Sequence, residues 1–308
     1  GGTLTWKGLG DLAGRPVGYG GEGRVLVTYT VDVLGLNALE IGISGHEQFR
    51  RFGELAVPSF AFINGAAMGG GLEIALHCTY RSVSSGAAAI SLPECFLGLV
   101  PGWGGTYLLP NLVGADTAVT VIVENALNQN KQLKPAQVCQ LGIADAMFEP
   151  ADFLECSLAW AARIVKGEET VTRAEVDRGD AWDAAVARGR AFVTGKVKDA
   201  APAPLRALEL IELAKTADAD VAFAAEDEAL ADLVMSDELR AGLYAFELVQ
   251  KRAKRPVGVP DKSLARPVTK VGVVGAGLMA GQIALLFARN LKVPVVLTDV
   301  DQTRLDKG

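Results

Sequence analysis

Residues 271–288, VGVVGAGLMAGQIALLFA, run for 18 positions without a charge. No other segment restricts the fold so severely. An apolar run of this length sits at the threshold for a membrane-spanning helix. The alternative is a strand, a glycine turn and a buried helix. The glycines decide between the two. Gly272, Gly275, Gly277 and Gly281 are spaced as turn punctuation, and β-branched residues crowd only the first four positions. A strand–turn–helix is therefore expected, and no membrane span. Gly275-Ala276-Gly277-Leu278-Met279-Ala280 also fits the dinucleotide fingerprint G-x-G-x-x-[GA]. A second strand, Val293–Thr298, ends at Asp299, 24 residues beyond Gly275. That spacing suits a carboxylate accepting from a ribose 2′-OH, and so NAD rather than NADP. In this reading Gly275 permits the tight turn. Gly277 admits a pyrophosphate to the helix start, and Ala280 keeps strand and helix close.

A second glycine cluster lies in Ile63–Leu76, INGAAMGGGLEIAL, where Glu73 is the only charge. A carboxylate in an apolar run must be paired, hydrogen-bonded or protonated. Near a helix start it also complements the helix dipole, which is its bland explanation. Gly69-Gly70-Gly71 adds unpaired N–H groups at a helix N-terminus, a setting suited to a developing anion. A second carboxylate, Glu94, follows 21 residues later in ISLPECFLGLVPGWGGT. Its bland explanation is an N-cap or a surface turn. Two glutamates in apolar settings can hold different protonation states. One can then activate water while the other delivers a proton.

Composition excludes several classes. The 308 residues carry a formal charge of −6, which argues against a nucleic-acid binder. Half of them are hydrophobic, so the chain is not disordered. Cys78, Cys95, Cys139 and Cys156 form no C-x-x-C pair. With only His46 and His77 as histidines, no metal site is expected. A reducing, cytoplasmic compartment suits such cysteines. The chain opens Gly1-Gly2 and closes just after a helix start, so both ends read as cut, and no secretory signal is visible.

Hydrophobic periodicity places strands at 24–30, 59–63, 80–83 and 89–92, and helices at 37–56, 72–78, 107–112, 119–124, 135–141 and 151–165. In the first helix His46, Glu47, Gln48, Arg50 and Arg51 are assigned to a polar side. Residues 166–256 are charge-rich and helical in pattern, and the basic run 251–255 reads as a solvated helix end. Residues 256–269, with three prolines, read as a linker.

Asn64-Gly65, Gly69-Gly70-Gly71-Leu72-Glu73, Leu92-Pro93-Glu94 and Pro101-Gly102-Trp103-Gly104-Gly105-Thr106 together resemble the enoyl-CoA hydratase (crotonase) family, in order and spacing, over residues 40–165. The resemblance implies that Glu73 and Glu94 activate one water and add it across a 2-enoyl-CoA thioester. It implies an oxyanion hole from the Gly70 N–H and a second N–H upstream. The family draws that second donor from an Ala-Gly-Ala-Asp-like stretch. The counterpart here is Thr28-Tyr29-Thr30-Val31-Asp32, which makes Val31 the donor; Asp32 fits the pattern and the bulkier residues before it do not.

A crotonase-like part, a charged helical part and a Rossmann start, in that order, resemble the multifunctional fatty-acid oxidation enzymes of the alpha-subunit type. These join enoyl-CoA hydratase to 3-hydroxyacyl-CoA dehydrogenase. The implied fold is α/β: a crotonase-like ββα superhelix at 1–165, a helical linker region at 166–265, and the start of a Rossmann NAD-binding domain at 266–308. Gly275, Gly277, Leu278, Met279, Ala280 and Asp299 would bind NAD. Hydride transfer belongs to the longer parent, since that family's catalytic histidine lies beyond residue 308. A thiolase subunit and a homo-oligomer are the implied partners. Two other readings stay open: an acyl-CoA-binding or assembly module without turnover, and a stand-alone NAD-binding protein.

Overall fold

The computed structural model describes residues 38–198, 200–249 and 261–307, with 3–4, 17–18 and 258. The chain forms two compact units, Gly1–Val249 and Gln250–Gly308. Val31, the expected strand at 24–30 and the basic run 251–255 lie outside the described residues. Among the described residues no helix is long and apolar enough to cross a membrane.

In the first unit, β1 (Thr3–Leu4) and β2 (Val17–Gly18) pair antiparallel. Helix α1 (Ala38–Phe49) follows, then β3 (Phe60–Ile63), β4 (Ala67–Met68), α2 (Gly70–His77), β5 (Tyr80–Ser84) and β6 (Ile90–Ser91). Strands β3, β5 and β7 (Ala146–Phe148) form a parallel sheet in the order β3-β5-β7. Strands β4 and β6 form a second parallel pair, with Ala67 opposite Ile90. The chain thus steps from one sheet to the other and back, with α2 crossing between them. Asn64-Gly65 makes the first of these steps.

Short helices follow: α3 (Glu94–Leu97), α4 (Gly105–Val113) and α5 (Ala115–Val119). The helical material expected at 119–124 is a π-helical turn, Thr120–Glu124, continued by Asn125–Leu127. Then come α6 (Pro135–Gln140), with proline in its first turn, and α7 (Phe153–Val165), which buries Phe153, Ser157, Trp160, Ala161 and Ile164 along one stripe. The expected helix 37–56 is shorter in fact. It ends at Phe49, tightens into a 3₁₀ turn at Arg50–Phe52, and stops where the Gly53 N–H bonds the Arg50 carbonyl.

The charge-rich region is α8 (Asp180–Val197), α9 (Pro202–Leu213), α10 (Ala219–Val234) and α11 (Asp237–Glu247). Side-chain caps open the last two, Asp218 accepting from the Val221 N–H and Ser236 from the Leu239 N–H. These helices share one core with the sheets: Trp182, Val193, Leu208 and Ile211 join Leu72, Val83, Ile90, Leu109 and Ile122. Trp182 is 1% exposed, and its indole N–H donates to the Ile211 carbonyl at 3.1 Å. Truncating a core side chain of that size costs about 3–5 kcal/mol. Most charges on this region face water while its apolar stripe completes the core; Glu226 and Asp227 are buried exceptions. Arg173 adds a polar tether, bonding Asp145 at 2.8 Å beside the β5–β7 edge.

The second unit is β8 (Val271–Val274), α12 (Leu278–Leu291), β9 (Val295–Thr298) and α13 (Gln302–Lys307). Strands β8 and β9 pair in parallel, Val271 opposite Val295. The charge-free run is a strand, a glycine turn and a helix.

Candidate functional site

The site is built where β4 turns into α2. Gly69 has φ 55° and ψ −131°, a conformation that only glycine holds without strain. A Cβ there would also stand 2.5 Å from Glu94 Oε1. Gly69 is thus needed twice, for the turn and for the approach of Glu94. Its N–H donates to the Ser91 carbonyl at 3.0 Å, fixing the turn to β6. Its carbonyl accepts from the Leu72 and Glu73 N–H groups, closing the first turn of α2. The Gly70 N–H has no acceptor among the described residues, and the space beside Gly71 is open. A cleft of about 260 Å³ lies along Ile63, Asn64, Gly65, Gly71 and Ile74. Glu73 and Glu94 do not line it; it meets α2 on the opposite face.

Glu73 is 2% exposed. Its Oε1 accepts from the Trp103 N–H at 2.8 Å and the Gly105 N–H at 2.9 Å. Burial pushes its pKa up to about 8, with the charge of Glu226 adding to the rise and the two N–H bonds opposing it. Glu94 opens α3 with its side chain turned inward, and its Oε2 is buried without a partner among the described residues. Burial, and after it the charge of Glu73, holds its carboxyl well above the usual carboxylate range. The structure brings both glutamates to the same helix start, and neither sits in a surface turn.

Behind Glu73 lies a network of charged groups. Glu226 of α10 is fully buried. One of its oxygens accepts from the Gly104 N–H, the other from the Thr106 N–H at 2.9 Å and from the Thr106 hydroxyl. The four consecutive N–H groups that open α4 are therefore shared alternately between two carboxylates. His46 lies 3.2 Å from Glu226 and 2.8 Å from Asp227, stacked on Phe223. Burial alone would lower the His46 pKa, but its hydrogen bonds to Asp227 and Glu226 prevail and raise it to about 9. His77 donates to the Trp103 carbonyl at 2.9 Å, and burial lowers its pKa to about 4.

The second unit has its own glycine turn. Gly275 has φ +104°, and its N–H donates to the Thr298 carbonyl. Gly277 caps α12 in an extended conformation, with nothing within 4 Å of where a Cβ would stand. Ala280 approaches Gly275 closely: a Cβ on Gly275 would lie 3.7 Å from it. Leu278 and Met279 are largely exposed. Asp299 accepts from the Ala276 N–H at 2.7 Å and the Asp301 N–H at 3.0 Å, and these bonds hold its pKa below the ordinary value. A glycine-flanked helix start with no side-chain cap fits a pyrophosphate group.

Residues 40–181 match the family model described as enoyl-CoA hydratase/isomerase. Over these residues the chain belongs to that family. Residues 270–308 match the NAD binding domain of 3-hydroxyacyl-CoA dehydrogenase. The chain is 31% identical over 272 residues to the fatty acid oxidation complex subunit alpha of Colwellia psychrerythraea, covering 84% of this chain and 36% of that protein. It is 30% identical over 296 residues to the same subunit of Pseudomonas putida, covering 92% of this chain and 40% of that protein. The chain thus spans about two-fifths or less of the curated relatives it matches. A solved carnitinyl-CoA dehydratase from Mycobacterium thermoresistibile superposes with a TM-score of 0.52 at 21% identity, over 77% of this chain and 75% of that one. That likeness shows the fold, which is the crotonase type.

Motif reading singled out Glu73, Glu94 and Gly70, which the structure brings to one helix start. It missed His46, Glu226 and Asp227, and it assigned His46 to a polar side where the structure buries it at 4% exposure. The reason is a partner 180 residues away, which local periodicity does not register. A trace was present in Gly42 and Gly45, on the same face of α1 as His46. A Cβ on Gly42 would stand 2.3 Å from Asp227 Oδ1, and one on Gly45 would stand 2.0 Å from the Trp103 indole. Glycines one turn apart inside a helix are destabilising unless something packs on them.

Proposed function

We propose that this chain hydrates 2-enoyl-CoA thioesters to 3-hydroxyacyl-CoA, as part of fatty-acid β-oxidation. One observation carries the reading: buried Glu73 and half-buried Glu94 meet at a glycine-rich helix start and differ in hydrogen bonding. Glu73 has two N–H donors and is the one suited to ionise. Glu94 has a bare buried oxygen and is the one suited to keep its proton. Glu73 takes a proton from water as the hydroxyl adds to C3 of the enoyl group. Glu94 gives its proton to C2. The thioester oxygen, negative in the intermediate enolate, is received by the Gly70 N–H; Val31 would supply the second donor. The sum is addition of one water, and return of a proton from Glu73 to Glu94 resets the pair. One oxyanion donor of this kind is worth about 10²–10³ in rate.

In the second unit Gly275, Gly277, Leu278, Met279 and Ala280 would hold NAD, with Asp299 toward the adenosine ribose. The bound cofactor supplies a hydride acceptor. Oxidation of 3-hydroxyacyl-CoA belongs, in this reading, to a longer protein of the same family. A thiolase partner, a homo-oligomer and a cytoplasmic location complete the proposal. So does the division into a hydratase domain at 1–165, a helical region at 166–265 and an NAD-binding part at 266–308.

The test is hydration of crotonyl-CoA, followed by loss of enoyl-thioester absorbance. Glu73→Gln and Glu94→Gln should each lower kcat by about 10²–10⁴-fold, the range for a lost general acid or base. Wild-type turnover that survives either change would overturn the assignment.

A further inference from the structure

The charged helical region reaches the loop beside the candidate active site through Glu226. Glu226 extends from α10 to the loop Trp103–Thr106, and that loop holds Glu73. Glu73 takes the Trp103 and Gly105 N–H groups while Glu226 takes those of Gly104 and Thr106. A loop whose four N–H groups alternate between two carboxylates cannot shift for one without shifting for the other. We propose that Glu226 is a positioning residue for Glu73: it clamps the loop that holds Glu73, and it sets the charge against which Glu73 ionises. This rests on the hydratase reading for its kinetic consequence and not for its geometry.

The surrounding charges define the balance. From α1, His46 bonds Glu226 and Asp227, and from the 3₁₀ turn after it Arg50 pairs with Asp220 at 2.7 Å on the outer part of α10. From α2 come Glu73 and His77. From α3 comes Glu94, whose carboxyl also responds to Glu226. Helix α4 brings Tyr107, whose ring meets Phe223 edge-on. Helix α9 brings Arg206, which is engaged at the surface with Glu209 and Asp232. From α11, Arg240 pairs with Asp237 at the surface. Inside the network, two groups act on Glu73 with opposite signs. The Glu226 charge opposes its ionisation and the His46 charge favours it.

Opposite signs make the proposal testable. Hydration should require ionised Glu73, so the acid limb of its kcat profile reports that group. In the full chain, Glu226→Gln should move the limb to lower pH by on the order of one unit, the size of a lost like-charge neighbour. His46→Gln should move it to higher pH. Glu226→Asp, which keeps the charge, should return the limb toward the wild-type position. The same order should appear in a ¹³C titration of the Glu73 carboxyl, assigned by its absence in Glu73→Gln. This second readout needs no turnover. Carboxyl shifts of the stated signs without wild-type hydration would uphold the positioning role and sink the hydratase reading. Hydration that slows in Glu226→Gln and His46→Gln with no movement of limb or carboxyl titration would reduce Glu226 to a structural brace and overturn the proposal. If Glu226→Gln does not fold, as a melt would reveal, His46→Gln carries the test with its own sign.

Discussion

Two helices in this chain start from a glycine turn after a parallel strand, and they treat their carboxylates in opposite ways. At α2 the turn is buried. Gly69 yields its side-chain space to Glu94, and desolvation drives both nearby glutamates toward their protonated forms. At α12 the turn is open. Asp299 is part-exposed, takes two backbone N–H groups, and stays below its ordinary pKa. Local sequence is nearly the same in kind at both places. What differs is the packing laid over it: Glu94 from α3 and the Trp103 and Gly105 N–H groups at the start of α4 close on the first turn. The lesson is that a glycine turn supplies donors, while burial decides whether the acid beside it is a proton store or a fixed anion. Proton transfer needs the first arrangement and ligand anchoring needs the second.

The sharpest way to break this comparison is Gly69→Ala. The new Cβ meets Glu94 Oε1 and must also adopt a left-handed conformation. We expect kcat for crotonyl-CoA hydration to fall by at least about 100-fold, since displacements near 1 Å cost that much. A chemical melt should show a loss of about 1–3 kcal/mol from the strained backbone. Wild-type kinetics in this variant would mean that Glu94 does not depend on Gly69 for its place.

Much of this was legible in the residues. The α2 turn and both glutamates follow from glycines beside a lone charge in an apolar run, because a carboxylate there must have a purpose or a partner. The β8–α12–β9 unit follows equally well, since every feature of it is local. The clamp on the 103–106 loop was not legible. It joins Glu73 to Glu226 across 153 positions, and no spacing rule spans that distance. The charge-rich helices misled in a similar way. They read as a helical linker region, whereas Trp182, Leu208 and Ile211 are core residues shared with the sheets. The π-helical turn at 120–124 has no sequence signature, because TVIVE suits an ordinary helix as well.

A gentler test uses pH. His46, raised to about 9, stabilises the fold fully below its ordinary pKa of 6.5, and this contribution is lost as pH climbs through 9. Glu73, raised to about 8, behaves alike, stabilising in its protonated form and losing that effect as pH rises toward 8. His77, lowered to about 4, contributes fully above 6.5 and loses its effect only as pH falls toward 4. Between pH 6.5 and 9 the first two act in the same sense as Glu94, whose carboxyl is also raised, so the first unit should weaken. All four tryptophans precede residue 250, so their fluorescence follows this unit without the other. The urea midpoint by that signal should drop from pH 6.5 to 9, and His46→Gln should flatten the drop. Asp299 has the opposite sense, stabilising above the ordinary aspartate pKa and losing that effect as pH falls through its lowered value. A tryptophan midpoint that rises between pH 6.5 and 9 would contradict the buried-proton account.

The smallest effect separates the two glycines of the open turn. Gly275 sits at φ +104°, so Gly275→Ala should cost about 1–2 kcal/mol from the backbone alone. Gly277 is extended, with free space where a Cβ would stand, so Gly277→Ala should change stability by no more than about 0.5 kcal/mol. This unit contains neither Trp nor Tyr, so amide hydrogen exchange over residues 271–298 is the suitable probe. Protection should fall in Gly275→Ala and stay level in Gly277→Ala. If the fold makes no demand on Gly277, its lack of a side chain serves what approaches the helix start from outside. NADH fluorescence titration of the two variants then divides the possibilities. A Gly277→Ala chain with wild-type exchange and weakened NADH binding would place the dinucleotide at the start of α12. Equal loss of protection in both variants would show that the space at Gly277 belongs to the fold.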